Sequence, residues 1–377
     1  MNFRRTWAVA RKETLHVRRD PRSLILAIGI PMLMIVLFGY ALTLDVDRVA
    51  FVAWDRSGTP ASRDLVARFD ASRYFELHHT VASEAELEHA IDNREAMLAL
   101  VIDPAFADDL EAGRPAQVQA ILDGSDSNTA GIVLGYAQAI ALTFDQEVFV
   151  ERIERQGRRA PSPPVDLRPR VWFNPDLESK NFIIPGIGAV ILGLIAALIT
   201  SLTIAREWER GTMEQLISTP VRPAELIVGK LLPYFVIGMF DVLIAVGMAV
   251  YVFDVPLRGS VPLLFLTAAL FIICTLGQGI FISTVARGQL LASQLAMVST
   301  FLPAFLLSGF MFAISNMPVP VQVITHIIPA RYFVAIVKGI YLRGVGLETL
   351  WRDTLFLVVF AVVIVGLAIA RFKKRLT

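Results

Sequence analysis

Few residues in this 377-residue chain could do chemistry, and they do not gather. The one cysteine, Cys274, lies in an apolar run, so neither a disulfide framework nor a thiolate metal site is available. The five histidines form no HExxH spacing and no His/carboxylate cluster. His78 and His79 are adjacent in a segment of strand character, where alternation sends the two rings to opposite faces. Asp123-Gly124-Ser125-Asp126-Ser127-Asn128 has the oxygens of a calcium loop but neither the EF-hand spacing nor its closing glutamate. A turn leading into a helix N-cap explains that stretch better. Two features are left. One is Asp241, a carboxylate inside a long apolar segment; such burial costs about 2.5–3.5 kcal/mol in lipid, so the group should face a cavity, a partner or a hydrated end of its span. Contact with a cationic substrate and pairing across a dimer are both open to it. Gln278 and Gln294 lie in apolar segments too, as helix–helix hydrogen-bonding groups first and as substrate or dimer contacts second. The other feature is the charged stretch Arg206–Lys230. No catalytic constellation and no metal site emerge.

The elements that carry these residues are set by composition. Hydrophobic residues make up 55% of the chain and charged ones only 18%, against about a quarter in soluble domains. A spanning helix needs roughly 20 mostly apolar residues. Six segments qualify: residues 23–44, 182–205, 231–253, 261–286, 289–314 and 351–370. Lysine and arginine crowd before the first of these, in the 206–230 loop, at Arg287 and at the C-terminus (Arg371, Lys373, Lys374, Arg375), all on one side if six spans are right. Both termini are then cytoplasmic, with residues 371–377 as a tail. Residues 1–22 suit a basic amphipathic helix at the membrane surface, with Phe3, Trp7, Ala10 and Leu15 roughly on one side. The first apolar run is too long for a signal peptide and has no clear cleavage site, so it reads as an uncleaved anchor.

Residues 45–181 form an extracytoplasmic insert with soluble composition. Strand candidates Val49–Trp54, Tyr74–His79, Met97–Ile102 and Gln117–Leu122 alternate with helical stretches at Ala61–Ala71, Glu84–Asn93, Pro104–Ala112 and Asn128–Arg155. Pro104 fits the first helical position behind an Asp103 cap. The alternation argues for a small α/β layer domain, followed by a proline- and arginine-rich connector over 156–170. The expected fold is a mainly α polytopic membrane protein: six transmembrane helices with an α/β extracytoplasmic domain between the first and second. Residues 315–350 make an interfacial or re-entrant segment.

The cytoplasmic loop 206–230 reads REWERGTMEQLISTPVRPAELIVGK. Thr212 and Gln215 have capping-box spacing and start a short helix with Met213, Glu214 and Leu216. Pro220 and Pro223 stop it from running on. Such a helix, held between two spans, offers charged and apolar groups to a cytoplasmic partner, though an ordinary connection would read the same. The loop resembles the one between the second and third spans of ABC-2 type transporter permeases. Glu207, Glu209, Gly211, Thr212, Glu214, Leu216, Thr219, Pro220, Glu225, Gly229 and Lys230 carry the match, with Arg210, Met213 and Gln215 inside it. One span, a large insert and five further spans agree with the drug-efflux-like branch of that family, of the type V exporter kind.

The resemblance implies a permease that pairs with a second permease chain, identical or not, to pass hydrophobic or amphipathic substrates outward from a bacterial inner membrane. It implies two separate cytoplasmic ATPase subunits docking on the 206–230 loop, so that ATP and magnesium are used on the partner and no cofactor is held here. A periplasmic adaptor, membrane lipids and no nucleic acid complete the expected partners. The chain has no GxxxxGK[ST] phosphate loop, since Gly229-Lys230 is followed by Leu231. A mechanotransmission subunit or a lipid- or polysaccharide-exporting permease are the alternatives; span count and insert length weigh against them.

Overall fold

Stretches of period-two alternation and apolar runs of helical length occupy different parts of this chain, and the structure divides accordingly. Its two compact units are Met1–Thr43 with Arg170–Thr377, and Leu44–Pro169. The computed structural model describes residues 1–41, 46–155, 170, 172–175, 178–286 and 288–372. The last residues of the first expected span, the connector up to Pro169, Arg287, Lys373, Lys374 and Arg375 lie outside them.

The chain opens with α1 (Phe3–Arg19) and α2 (Ala27–Ala41). Asn2 caps α1, its side chain accepting the Arg4 N–H at 3.1 Å. The buried stripe of α1 is Thr6, Val9, Ala10, Glu13 and Val17, whereas Phe3, Trp7 and Leu15 are exposed. Ala10 thus leaves the apolar group expected beside it, because residues 6, 10, 13 and 17 follow the 3.6-residue period. A π turn at Ile25–Gly29 runs into α2. Pro31 follows it, and a proline ring crowds the carbonyl four residues back, which a widened turn relieves.

The second unit is built on β1 (Val49–Asp55), α3 (Pro60–Asp70), β2 (Phe75–Thr80), α4 (Glu84–Asp92), β3 (Leu98–Ile102), α5 (Phe106–Ala112), β4 (Val118–Leu122) and α6 (Ser127–Arg155). The sheet order is β2-β1-β3-β4, with β1 parallel to β2 and β3, and β4 antiparallel to β3. Alternation gives it two apolar faces. Phe51, Leu98, Leu100 and Ile102 pack with Leu65 and Phe69 of α3 and with Val133 and Phe144 of α6, while Val52 and Ala99 pack with Leu87 and Ala90 of α4. Two local expectations give way here. Asp103 accepts the Ala105 N–H at 2.8 Å, so Pro104 sits in a turn and α5 starts only at Phe106. The register slips between the partners of Phe51 and Val52, from Leu77 to His79, and this irregularity brings the His78 and His79 rings to 5.0 Å instead of onto opposite faces.

The first unit continues with α7 (Lys180–Glu209), α8 (Thr212–Ser218), α9 (Pro223–Tyr251), α10 (Val261–Ala286), α11 (Gln289–Leu307), α12 (Val319–Thr325), α13 (Pro329–Arg343) and α14 (Leu347–Arg371). Among the described residues, α7, α9, α10, α11 and α14 are long and apolar enough to cross a membrane. α12 and α13 meet at 86°, a broken span or a re-entrant loop, and α2 is shorter than the five. α11 ends at Leu307, short of the expected 314, because Gly309 takes a left-handed φ of 79° and the Ser308 hydroxyl accepts the Phe310 N–H at 3.3 Å.

α7 is buried along most of its length and forms the axis of this unit. Small residues let its neighbours close in. A Cβ on Gly279 of α10 would stand 2.3 Å from the Ala197 carbonyl oxygen of α7, so only glycine fits that crossing. The Ser283 hydroxyl of α10 accepts the Ile204 and Ala205 N–H groups at 3.0 and 2.9 Å. Farther along, Phe271 stacks on Phe333 with ring centroids 4.3 Å apart.

Candidate functional site

The charged loop is a compact device built where α7, α8, α9 and α1 meet. α7 ends at Glu209, and Gly211 turns the chain with φ of 70°, a value that strains any residue carrying a Cβ. α8 follows at once. Gly211 thereby takes the cap position, and the expected Thr212/Gln215 capping box does not form. The Thr212 hydroxyl instead donates to the Glu207 carboxylate, and Gln215 is exposed. Met213, 1% exposed, anchors the inner face of α8 among Ile204, Leu226 and Ile227. Glu214 and Gln215 face outward, Leu216 is half-buried, and Arg210 and Pro220 are exposed.

Underneath lies a cluster of ionic groups. Lys230 Nζ, nearly inaccessible, stands 3.0 Å from Glu13 Oε2 and 3.2 Å from Glu207 Oε1. Tyr234 donates its hydroxyl to Glu13 Oε1 at 3.0 Å, and Lys12 Nζ reaches Glu207 at 2.9 Å. Two carboxylates are thus matched by two ammonium groups, which is what lets them lie inside. The loop's far end is held by the same helix: the Asn2 N–H donates to Glu225 Oε1 at 2.7 Å, the Arg222 N–H donates to Glu225 Oε2 at 3.0 Å, and Arg5 donates to the Pro220 carbonyl at 2.7 Å. A Cβ on Gly229 would meet Thr6 O and Val9 Cβ at 2.8 Å, so α1 lies directly on the α9 backbone. Glu209 accepts the Gln289 N–H at 2.6 Å and holds the start of α11, and Arg206 Nε donates to Gln289 Oε1 at 3.3 Å. The loop is therefore tied to α1, α7, α9 and α11 at once.

Sequence pattern alone does not single out Glu13, Tyr234 or Asn2. Glu13 carried a usable signal: it is an acid on the Thr6-Ala10-Val17 stripe, where a charge without a partner would be costly.

The intramembrane candidates do not share one environment. Asp241 is 6% exposed, and its Oδ1 has no hydrogen-bond partner among the described residues. Gln278 Nε2 donates to the Ser299 carbonyl at 3.2 Å, across to α11. That carbonyl lies four residues before Pro303, which has no N–H to offer it, and the π turn Met297–Phe301 surrounds it. Gln278 is thus engaged in helix packing. Gln294 is exposed. In the second unit, the Ser125 hydroxyl and N–H both donate to Asp123 Oδ1, at 2.6 and 2.9 Å, and hold that carboxyl below the usual carboxylate range. Asp123 therefore closes a turn. No group of three or more His, Cys, Asp or Glu suited to a metal ion occurs among the described residues.

Residues 21–370 match the family described as ABC-2 family transporter protein. The chain is 38% identical to the probable multidrug ABC transporter permease YbhS of Escherichia coli (strain K12), over all of this chain and 98% of that protein. It is 31% identical to the probable multidrug ABC transporter permease YbhR of the same organism, over 99% of both chains. It is 32% identical to the inner membrane transport permease YhhJ of that organism, over 77% of this chain and 76% of that one. With the spans, the loop and these likenesses together, the chain belongs to the ABC-2 family of transporter proteins.

Proposed function

We propose that this chain is the membrane permease of a bacterial ABC exporter and that α8 is where separate ATPase subunits deliver force. The observation that carries the reading is the two-sidedness of α8. Met213 is locked into the α7–α9 core while Glu214 and Gln215 face outward, so a push on the outer face moves two spanning helices together. ATP-driven closure of two partner subunits supplies the free-energy difference that a change of access requires. In this reading ATP and magnesium are used on those subunits and the chain itself is not catalytic. Two permease chains enclose the path, with six spans each, α2 being the first. Both termini lie in the cytoplasm, residues 46–155 lie outside the inner membrane, and a periplasmic adaptor is an allowed further partner. The names of the E. coli relatives favour multidrug or other amphipathic substrates.

The test is reconstitution of the chain with its ATPase subunits in proteoliposomes. Glu214→Lys should lower ATP-driven transport by about tenfold, within the usual range of coupling between distant sites, while ATP hydrolysis and the amount of folded permease persist. Transport at the original rate in that variant would refute the assignment of α8.

A further inference from the structure

A groove of about 480 Å³ runs between α1 and the start of α9. Its floor is aliphatic: Leu232, Pro233, Val236 and Ile237. Its wall is the Trp7-Arg11-Thr14-Arg18 line of α1, residues spaced four, three and four apart and so on one helical stripe. Arg11 and Arg18 are exposed and form no ion pair among the described residues. The acids nearby are already engaged, Glu13 with Lys230 and Asp20 with Arg206. Two uncompensated guanidiniums over an aliphatic floor, at the depth where a spanning helix begins, ask for an amphiphile: a negative head and an apolar tail.

We infer that this groove seats a phospholipid with an anionic headgroup, its phosphate between Arg11 and Arg18 and an acyl chain along Leu232 and Val236. The reading needs only that α9 crosses the membrane, and it does not depend on the role given to α8. A second copy of the chain fits the groove less well. The exposed faces of the spanning helices are rich in leucine, valine and phenylalanine, which would leave both guanidiniums without a counter-charge. A cytosolic protein cannot reach the Leu232–Ile237 floor at its membrane depth. Bound lipid would stiffen the contact between α1 and α9, and with it the support of the loop.

Trp7, half-exposed at the groove, provides the readout. The full-length chain is placed in nanodiscs of phosphatidylcholine carrying an equal small fraction of brominated phosphatidylglycerol or brominated phosphatidylcholine. The Trp7 signal is the emission lost in the Trp7→Phe variant. Quenching should favour the brominated phosphatidylglycerol by on the order of tenfold in apparent affinity, as expected for two basic residues beside an anionic head. Arg11→Gln with Arg18→Gln should remove the preference. Arg4→Gln with Arg19→Gln removes equal charge from the same helix outside the groove and should keep it. Val236→Trp, which fills the floor and spares both arginines, should weaken quenching by either lipid. Equal quenching by the two lipids, or equal loss in both arginine pairs, would overturn the assignment in favour of general surface charge. Cross-linking of a Leu232→Cys variant to a second copy without lipid quenching would overturn it in favour of a protein occupant.

Discussion

Lys230 ends the loop motif in sequence but acts beneath it in the fold. Replacing it with methionine removes the buried cation from between Glu13 and Glu207 and leaves only Lys12, which reaches Glu207 alone. Breaking a buried pair from one side costs about 3–5 kcal/mol, so Lys230→Met should lower the melting temperature of the solubilised protein sharply. Adding Glu13→Gln should restore much of it, since the remaining Lys12–Glu207 pair is balanced. A double variant no more stable than the single one would show that the cluster is not what holds α1. Asp241 makes a second residue-scale case, because its Oδ1, like Asn181 Oδ1 and Thr300 Oγ1, is buried without a hydrogen-bond partner among the described residues, and of the three only Asp241 can carry a charge. Asp241→Asn should reduce export of permanently cationic dyes and spare neutral amphiphiles. An equal fall for both would favour pairing across the dimer, and unchanged export of all would end the substrate-contact idea. Sequence reading finds Asp241 as a residue type out of place and Lys230 as the last member of the loop pattern. It misses Glu13 as a partner because the ion pair closes over 217 positions, beyond the reach of any local pattern.

Elements were more legible than their ends. The strands start within a residue of the segments that alternation marks, because a half-buried strand must repeat every two residues. Caps depend on the conformation of single residues and were read less well. Gly211 supplants Thr212 as the cap of α8, and an Asp103 turn delays α5. α11 shows the same at larger size: its apolar composition continues to 314, but Gly309 turns the backbone at its end. Its π turn is the other departure, and it yields a test. If Gln278 serves the Ser299 carbonyl that Pro303 leaves without a donor, Gln278→Leu should cost roughly 0.6 kcal/mol, the average for polar contacts between membrane helices. In a Pro303→Ala background, where the helix can satisfy that carbonyl itself, the same change should cost almost nothing. Equal costs in both backgrounds, measured by unfolding in mixed micelles, would disconnect the two residues.

For the whole molecule, apolar length and basic flanks together yield a topology that can be checked without function. A phosphatase reporter fused after Val255 should be active only outside the cytoplasm, and a fluorescent or β-galactosidase reporter fused after Gly288 only inside it. The reverse pattern, or activity of one reporter type at both sites, would break the six-span arrangement proposed with α2 as the first span. The placement of α1 has a further consequence, one of timing. Asn2 and Glu225 are bonded across 223 positions, and Glu13 and Lys230 across 217. At synthesis rates of about 5–20 residues per second, α1 leaves the ribosome roughly ten to forty seconds before its seat on α9 exists. Until then Glu13 has neither Lys230 nor Tyr234 to meet. The first helix made must wait for a seat that comes from the middle of the chain, and an interval spent on the lipid surface, with Trp7 and the arginines engaged there, is how a basic amphipathic segment can wait without aggregating.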